Sequence, residues 1–240
     1  EFEPDSSKNI FGNYAFRNDF IETMMRNYAY LNTGLTLNYN GKKFSSKNGL
    51  LDLLSENLER QETEPLYPII HLKGEDIEIA LTHTDNDNED YYSFVNGQHT
   101  IQGGTHQAAF REAIGKTIKE FFNKNQELAD IRNGVIGAIA INVEEPVFES
   151  QTKVKLGSRD ISPKEGSISV NKFVNDFIKR ELDNFLHIHP DVTEVMSKKI
   201  QDSEKARKAI DFVRNKAMTK RASLHNKKLR DCRVHYNTTN

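Results

Sequence analysis

The chain has 240 residues, of which 36% are hydrophobic and 28% charged, and its formal net charge is −2. That length holds one large or two small domains, and the balance describes a globular chain with a charged surface. No apolar run approaches the roughly 20 residues that span a bilayer, and no basic-then-apolar opening reads as a signal peptide, so no membrane partner is expected. Cys232 is the single cysteine, which rules out an internal disulfide or a cysteine-rich zinc site and fits a cytoplasmic location.

The small net charge hides a polarity. Between Lys198 and Arg233 thirteen basic side chains face four acidic ones, a local charge of +9, so the preceding part is acidic. Such a pole points to an anionic partner, the alternative being a solvated helix face.

In chain order, Glu1-Phe2-Glu3-Pro4-Asp5 reads as the end of a strand whose start lies upstream, with an exit turn after it. Phe16, Phe20, Met24, Tyr28 and Leu31 recur at helical spacing and predict a helix over residues 17–31, stopped by Asn32-Thr33-Gly34. Residues 35–39 alternate as a strand, Asn40-Gly41 signals a hairpin turn, and residues 42–45 return. A short amphipathic helix is predicted over residues 50–58. Strands follow over 69–72 and 77–82. The acidic stretch Asp85 to Asp90 weakly imitates a calcium loop but lacks its Gly and distal Glu, and reads as a solvated hairpin tip. A strand over 91–95 ends at Asn96-Gly97.

A helix is predicted over residues 105–122, with Phe110, Ile114, Ile118 and Phe121 on one face. The nearly continuous apolar run from Gly134 to Val143 predicts a central strand covered on both faces. Helices are then expected over 170–186, striped by Phe173, Phe177, Leu182 and Phe185, and over 191–219, striped by Ala206, Ile210, Val213 and Ala217. This order predicts an α+β fold, a mixed β-sheet with packed helices and a long basic C-terminal helix.

Two short stretches carry chemistry. Gly103-Gly104 ahead of a helix frees the backbone for a tight turn and exposed N–H groups, and Thr105 is placed to cap the helix through its hydroxyl. A plain helix entry is the competing reading, since nothing matches a Walker loop or a dinucleotide fingerprint. Gln151, Thr152 and Lys153 put an amide, a hydroxyl and an ammonium within three residues of one loop, a set suited to a terminal phosphate. An ordinary surface loop is the alternative. Arg207, Arg214 and Arg221 are spaced by seven and share one helix stripe, which with Lys220 makes them candidates for phosphate contacts on DNA. His106, His225 and His235 show no spacing typical of a metal site.

Taken together, Tyr92-Ser93-Phe94-Val95-Asn96, Gly103-Gly104-Thr105-His106 with Phe110, and Pro146 through Leu156 with its Gln-Thr-Lys block resemble the transducer region of bacterial type IIA DNA topoisomerase B subunits. Phe2-Glu3-Pro4-Asp5 with Phe11, and Tyr30-Leu31-Asn32-Thr33-Gly34, resemble the end of that family's ATP-binding domain. Leu224 through Cys232 resembles the stretch before the TOPRIM domain, closer to topoisomerase IV than to gyrase. The likeness covers nearly the whole chain. It implies a GHKL-type transducer with a left-handed βαβ crossover, divided into residues 1–58 (tail of the ATPase domain), 59–190 (transducer) and 191–240 (exit helix and linker). It further implies that Gln151 and Lys153 sense the γ-phosphate of ATP. ATP and Mg²⁺ would serve the intact enzyme, with DNA, the A subunit and the chain's own ATPase and TOPRIM domains as partners. By the same likeness the catalytic groups lie outside residues 1–240, so no hydrolysis, strand passage or bound cofactor is expected of this piece alone. Two other readings stay open: a non-enzymatic nucleic-acid-binding adaptor, and a mismatch-repair or chaperone relative with the same pairing of domains.

Overall fold

The computed structural model describes the backbone of residues 15–230 and the side chains of residues 15–216. The opening segment with Phe2, Pro4 and Phe11, and the stretch from Asp231 with Cys232 and His235, lie outside the described residues.

The described residues begin with α1 (Asn18–Leu31) and the hairpin β1 (Thr36–Tyr39) and β2 (Lys42–Ser45), followed by α2 (Leu50–Arg60). Asn40 and Gly41 both take positive φ, 49° and 78°, as the tight turn between paired Tyr39 and Lys42 demands. A second sheet is built from β3 (Ile70–Gly74), β4 (Ile77–His83), β5 (Asp90–Val95), β6 (Gln98–His99) and β7 (Val135–Ile141). Its order is β3-β4-β7-β5-β6, with β5 and β7 parallel and the other neighbours antiparallel. Between β6 and β7 run α3 (Thr105–Phe122) and α4 (Leu128–Arg132), and α5 (Val170–Ile188) and α6 (Pro190–Arg230) complete the described residues.

β7 is the middle strand, as its unbroken apolar run requires. Its alternate residues serve two cores. Ile136 and Ala138 pack with Leu50, Leu53, Leu54 and Leu58 of α2, while Ile139 and Ile141 join Phe110, Ile114 and Ile118 of α3 and Val174, Ile178 and Leu182 of α5. Gly137 faces α3, and a Cβ there would lie 2.9 Å from the Phe110 ring. α2, assigned by sequence to the leading unit, thus covers one face of this sheet together with Tyr30 of α1.

Several expectations are corrected. The acidic segment is no hairpin tip, because β7 lies between β4 and β5 and the segment crosses over it. Glu89 within it is partly buried and bonded by Arg111 and Tyr91. β6 and α4, two and five residues long, are too short to show a period. The apolar stripe of α1 faces solvent at Phe16 (61% exposed), Phe20 (63%) and Met24 (45%), whereas Ala29 and Tyr30 are buried. The stripe of α6 is likewise open at Ile210 and Val213, because the helix runs on past the body of the domain. On α5 the buried face is Val170, Val174, Phe177, Ile178, Leu182 and Leu186, with Phe173 and Phe185 at its margin.

His83 ties β4 to α4: its Nε2–H donates to the Ile131 carbonyl at 2.8 Å, and its Nδ1 accepts from the Tyr67 hydroxyl. Burial lowers its pKa to about 4, and burial does the same to His106. Both are neutral when folded and take up protons more readily when unfolded. Stability is therefore full above the ordinary histidine value near 6.5 and falls as pH drops from there toward 4. At pH 5 each contributes a loss of about 2 kcal/mol. The urea midpoint is expected to fall clearly between pH 7.5 and pH 5, still above the carboxylate range, and an unchanged midpoint would contradict the burial of neutral imidazoles.

Candidate functional site

Beyond β7 the chain makes a small hairpin-like loop. Phe148 bridges Leu156 in antiparallel sense, and Glu149 N–H donates to Lys155 O at 3.1 Å. The tip closes where Lys153 N–H donates to Ser150 O at 3.0 Å, with Lys153 in the left-handed region at φ 56°. Ser150 and Thr152 hydroxyls pair at 2.8 Å across it. Gln151, Thr152 and Lys153 are all exposed. Among the described residues the Lys153 ammonium has no carboxylate partner and lies 5.9 Å from the centre of the Phe148 ring. Lys155, two residues on, is instead paired with Glu149 at 2.9 Å. The tip thus offers one uncompensated cation beside an amide donor, held on a tight turn.

The base of the loop rests on Gly103-Gly104. Leu156 N–H donates to Gly103 O at 3.0 Å, Thr105 N–H donates to Leu156 O at 3.2 Å, and Gln102 N–H donates to Val154 O at 2.9 Å. Gly104 has φ 136°, and a Cβ on it would sit 2.4 Å from Leu156 O and 2.6 Å from Leu156 N. The two motifs singled out by sequence are therefore halves of one construction. Two N–H groups of this turn are already engaged: Gly103 N–H donates to Thr100 O and Thr105 N–H to the loop. Thr105 is not a cap either; Gly104 occupies that place, and the Thr105 hydroxyl donates to Ser158 O at 2.8 Å. His106 is fully buried beneath, its Nε2 3.2 Å from the Thr100 hydroxyl. Burial keeps it neutral, and no cluster of His, Cys, Asp or Glu suited to a metal occurs among the described residues.

A cleft of about 490 Å³ lies between loop and α3, lined by Gln102, Gly104, Gln107, Arg111, Glu149 and Lys155 among others. Another, of about 590 Å³, is lined by Tyr28, Leu31 and Asn32 at the end of α1 and by Asn96, Gly97 and Asn142 at the ends of β5 and β7. The end of α1 and the origin of the loop segment thus share one end of the sheet.

The basic stripe divides. Arg207 is engaged by Asp130, from Nε at 2.8 and 3.1 Å and from Nη2 at 2.9 Å, and by Glu127 at 3.0 Å. Arg214 is exposed and forms no ion pair among the described residues. The side chains of Lys220, Arg221 and His225 lie outside the described residues. Sequence reasoning missed Asp130, Arg132 and Glu89, because their only signal is a burial that short elements do not reveal.

Residues 46–216 match the family described as DNA gyrase B, more than half of the chain. The chain belongs to that family. It is 38% identical to the B subunit of DNA topoisomerase 4 from Borreliella burgdorferi and 30% identical to the B subunit of DNA gyrase from Clostridium acetobutylicum, over 99% and 96% of its length. It spans 38% of the length of each of these relatives. Among solved structures, the 43K ATPase domain of Thermus thermophilus gyrase B shares the fold with a TM-score of 0.66 at 24% identity, over 89% of this chain and 60% of that one.

Gly104→Ala is expected to cost about 1–3 kcal/mol through a left-handed backbone and a collision with backbone atoms of Leu156. It should also open residues 149–156 to limited proteolysis. A variant as stable and as resistant as the parent would rule out the close approach.

Proposed function

We propose that the chain is the transducer portion of a type IIA DNA topoisomerase B subunit, which senses the γ-phosphate of ATP and couples its loss to DNA strand passage. The observation that carries this is the exposed tip with Gln151 and an unpaired Lys153, on a loop whose base is pinned by backbone bonds to Gly103 and Thr105. An ammonium with no carboxylate to satisfy it attracts a phosphate, and the neighbouring amide adds direction. Hydrolysis removes the γ-phosphate and with it those charge-assisted bonds, which frees the loop to change the angle between neighbouring domains. Thr152 steadies the tip through its bond to Ser150.

In this reading residues 1–58 are the tail of the ATPase domain, 59–190 the transducer, and 191–240 the exit helix toward a TOPRIM domain. ATP and Mg²⁺ would be held by the upstream part of the parent protein, and the A subunit and DNA would be its partners, in the cytoplasm. No helix among the described residues is long and apolar enough to cross a membrane. Family membership favours this reading over an adaptor or a mismatch-repair or chaperone relative. The higher identity to a topoisomerase 4 relative than to a gyrase relative favours the former. DNA contact is assigned to Arg214, Lys220 and Arg221 of the exit helix, and not to Arg207, which its carboxylate partners already neutralise.

Lys153→Ala in the full-length protein is expected to lower ATP turnover about tenfold or more, the equivalent of one charge-assisted bond of about 1.5–3 kcal/mol, while the thermal midpoint stays put. Undiminished turnover would remove the sensor role. For the exit helix, Arg214→Glu with Arg221→Glu should weaken the DNA stimulation of ATP turnover and flatten its salt dependence. DNA stimulation equal to the parent at all salt concentrations would leave these charges as solvation.

A further inference from the structure

α6 is anchored and then released. Val192, Met196 and Ile200 are buried in the core, and Ser203 reaches Asn133 with its hydroxyl 3.1 Å from Oδ1. From Lys208 to Lys216 every residue is exposed. Among the described residues Arg207 ties this part of the helix to the body by a forked grip on Asp130, whose side chain is 4% exposed. A bidentate guanidinium–carboxylate pair fixes orientation as well as distance, which sliding apolar contacts do not. Beyond it the helix continues to Arg230, a rod of about 35 Å at 1.5 Å per residue. A swing of about 10° at its base would move the far end by roughly 6 Å over that length.

α4, which carries Asp130, is itself tied to the rest of the domain. Arg132 of the same five-residue helix is largely buried and meets Glu89 at 3.3 Å, and Glu89 receives Arg111 of α3 at 2.6 and 2.8 Å and the Tyr91 hydroxyl at 2.9 Å. Burial pushes the Glu89 carboxyl up, but the bonds from Arg111 and Tyr91 and the charge of Arg132 outweigh it and hold it low, so it stays ionised. Gly115 of α3 leaves room for this arrangement: a Cβ there would stand 3.1 Å from Arg132 Nη1. At its other end α3 begins at Gly104, bolted to Leu156 of the Gln151–Lys153 loop. A continuous series of rigid parts runs from the loop tip through α3 and α4 to α6.

We propose that Asp130 is the positioning residue of the coupling joint: through its pair with Arg207 it makes α6 move as one body with the sensor loop, so that nucleotide turnover is converted into displacement of the exit helix. This rests on the coupling function proposed above, and it names the joint through which that function acts. A merely stabilising ion pair would affect folding and leave the ratio of strand passage to ATP turnover alone.

The test uses the full-length protein assembled with its A subunit, measuring ATP turnover and strand passage on plasmid DNA side by side. For Asp130→Asn the number of passages per ATP hydrolysed is expected to fall fivefold or more, with ATP turnover within twofold of the parent. Arg207→Lys, which keeps the charge and loses the fork, is expected to fall in the same direction and serves if the first variant folds poorly. In the Asp130→Asn background with Cys232→Ser, Asn133→Cys with Ser203→Cys is expected to restore the ratio on oxidation and lose it again on reduction. An unchanged ratio in Asp130→Asn and Arg207→Lys overturns the joint, as does a proportional loss of both activities that the cross-link does not repair. Failure of the sensor reading is separate, since it appears as indifference of ATP turnover to Lys153→Ala while the passage ratio still depends on Asp130.

Discussion

The backbone of Gly104 lies against the backbone of Leu156 with no room for a single methyl group between them. Two segments more than 50 residues apart in sequence are joined there by main-chain hydrogen bonds in both directions. One is the start of α3, whose apolar face is locked into the core; the other is the base of the loop that carries Gln151 and Lys153. Main-chain bonds of this kind do not depend on side-chain rotamers, so the loop inherits the rigidity of α3 at its base while its tip stays in solvent. The loop thus combines two properties, a reachable charge at its tip and a stiff mounting at its base.

The mounting works because β7 holds the sheet between two cores. Phe110 fits against Gly137 on one side, and α2 closes the other. Glu78 of β4 fastens α2 by accepting from Leu50 N–H at 2.9 Å at the start of that helix, where a carboxylate also favours the positive end of the helix dipole. Burial raises the Glu78 carboxyl, but His71, the Leu50 N–H and Lys73 outweigh it and keep it ionised. The segment linking α1 to the sheet is thus held electrostatically as well as by Leu50, Leu53 and Leu54. α1 itself remains half dressed, with Phe16, Phe20 and Met24 in solvent.

Much of this was legible in the residues. α3 spans the residues its periodicity marks, β7 is the doubly covered strand its apolar run requires, and Asn40-Gly41 makes its hairpin turn. Those features arise from local chemistry repeated over many residues. What stayed hidden arises from partners distant in sequence. No pattern reveals that Gly104 meets Leu156, that β7 separates β4 from β5, or that Thr105 donates to Ser158 when its position suggests a cap. Periodicity also identifies an apolar face without saying what covers it, and on α1 and α6 parts of that face, at Phe20, Met24, Ile210 and Val213, are found in solvent.

The charge run of the C-terminal helix makes the same point about electrostatics. Summed along the sequence it is a uniform basic pole. In the folded chain its middle part is neutralised locally: Lys205 pairs with Asp202 and Lys208 with Glu204, while Arg207 is held by Asp130 and Glu127. Arg214, where the helix has left the body, is exposed and forms no ion pair among the described residues. The described part of the helix therefore has two sections, a root that grips the domain through a buried carboxylate and a stretch from Lys208 to Lys216 whose residues are exposed. Arg207 and Arg214 sit on the same stripe seven residues apart, yet one is held by carboxylates and the other is exposed without an ion pair among the described residues. A guanidinium whose hydrogen bonds are taken by a buried acid cannot also bind a phosphate without exposing that acid, so the grip of the root on the domain and anion binding by Arg207 exclude one another.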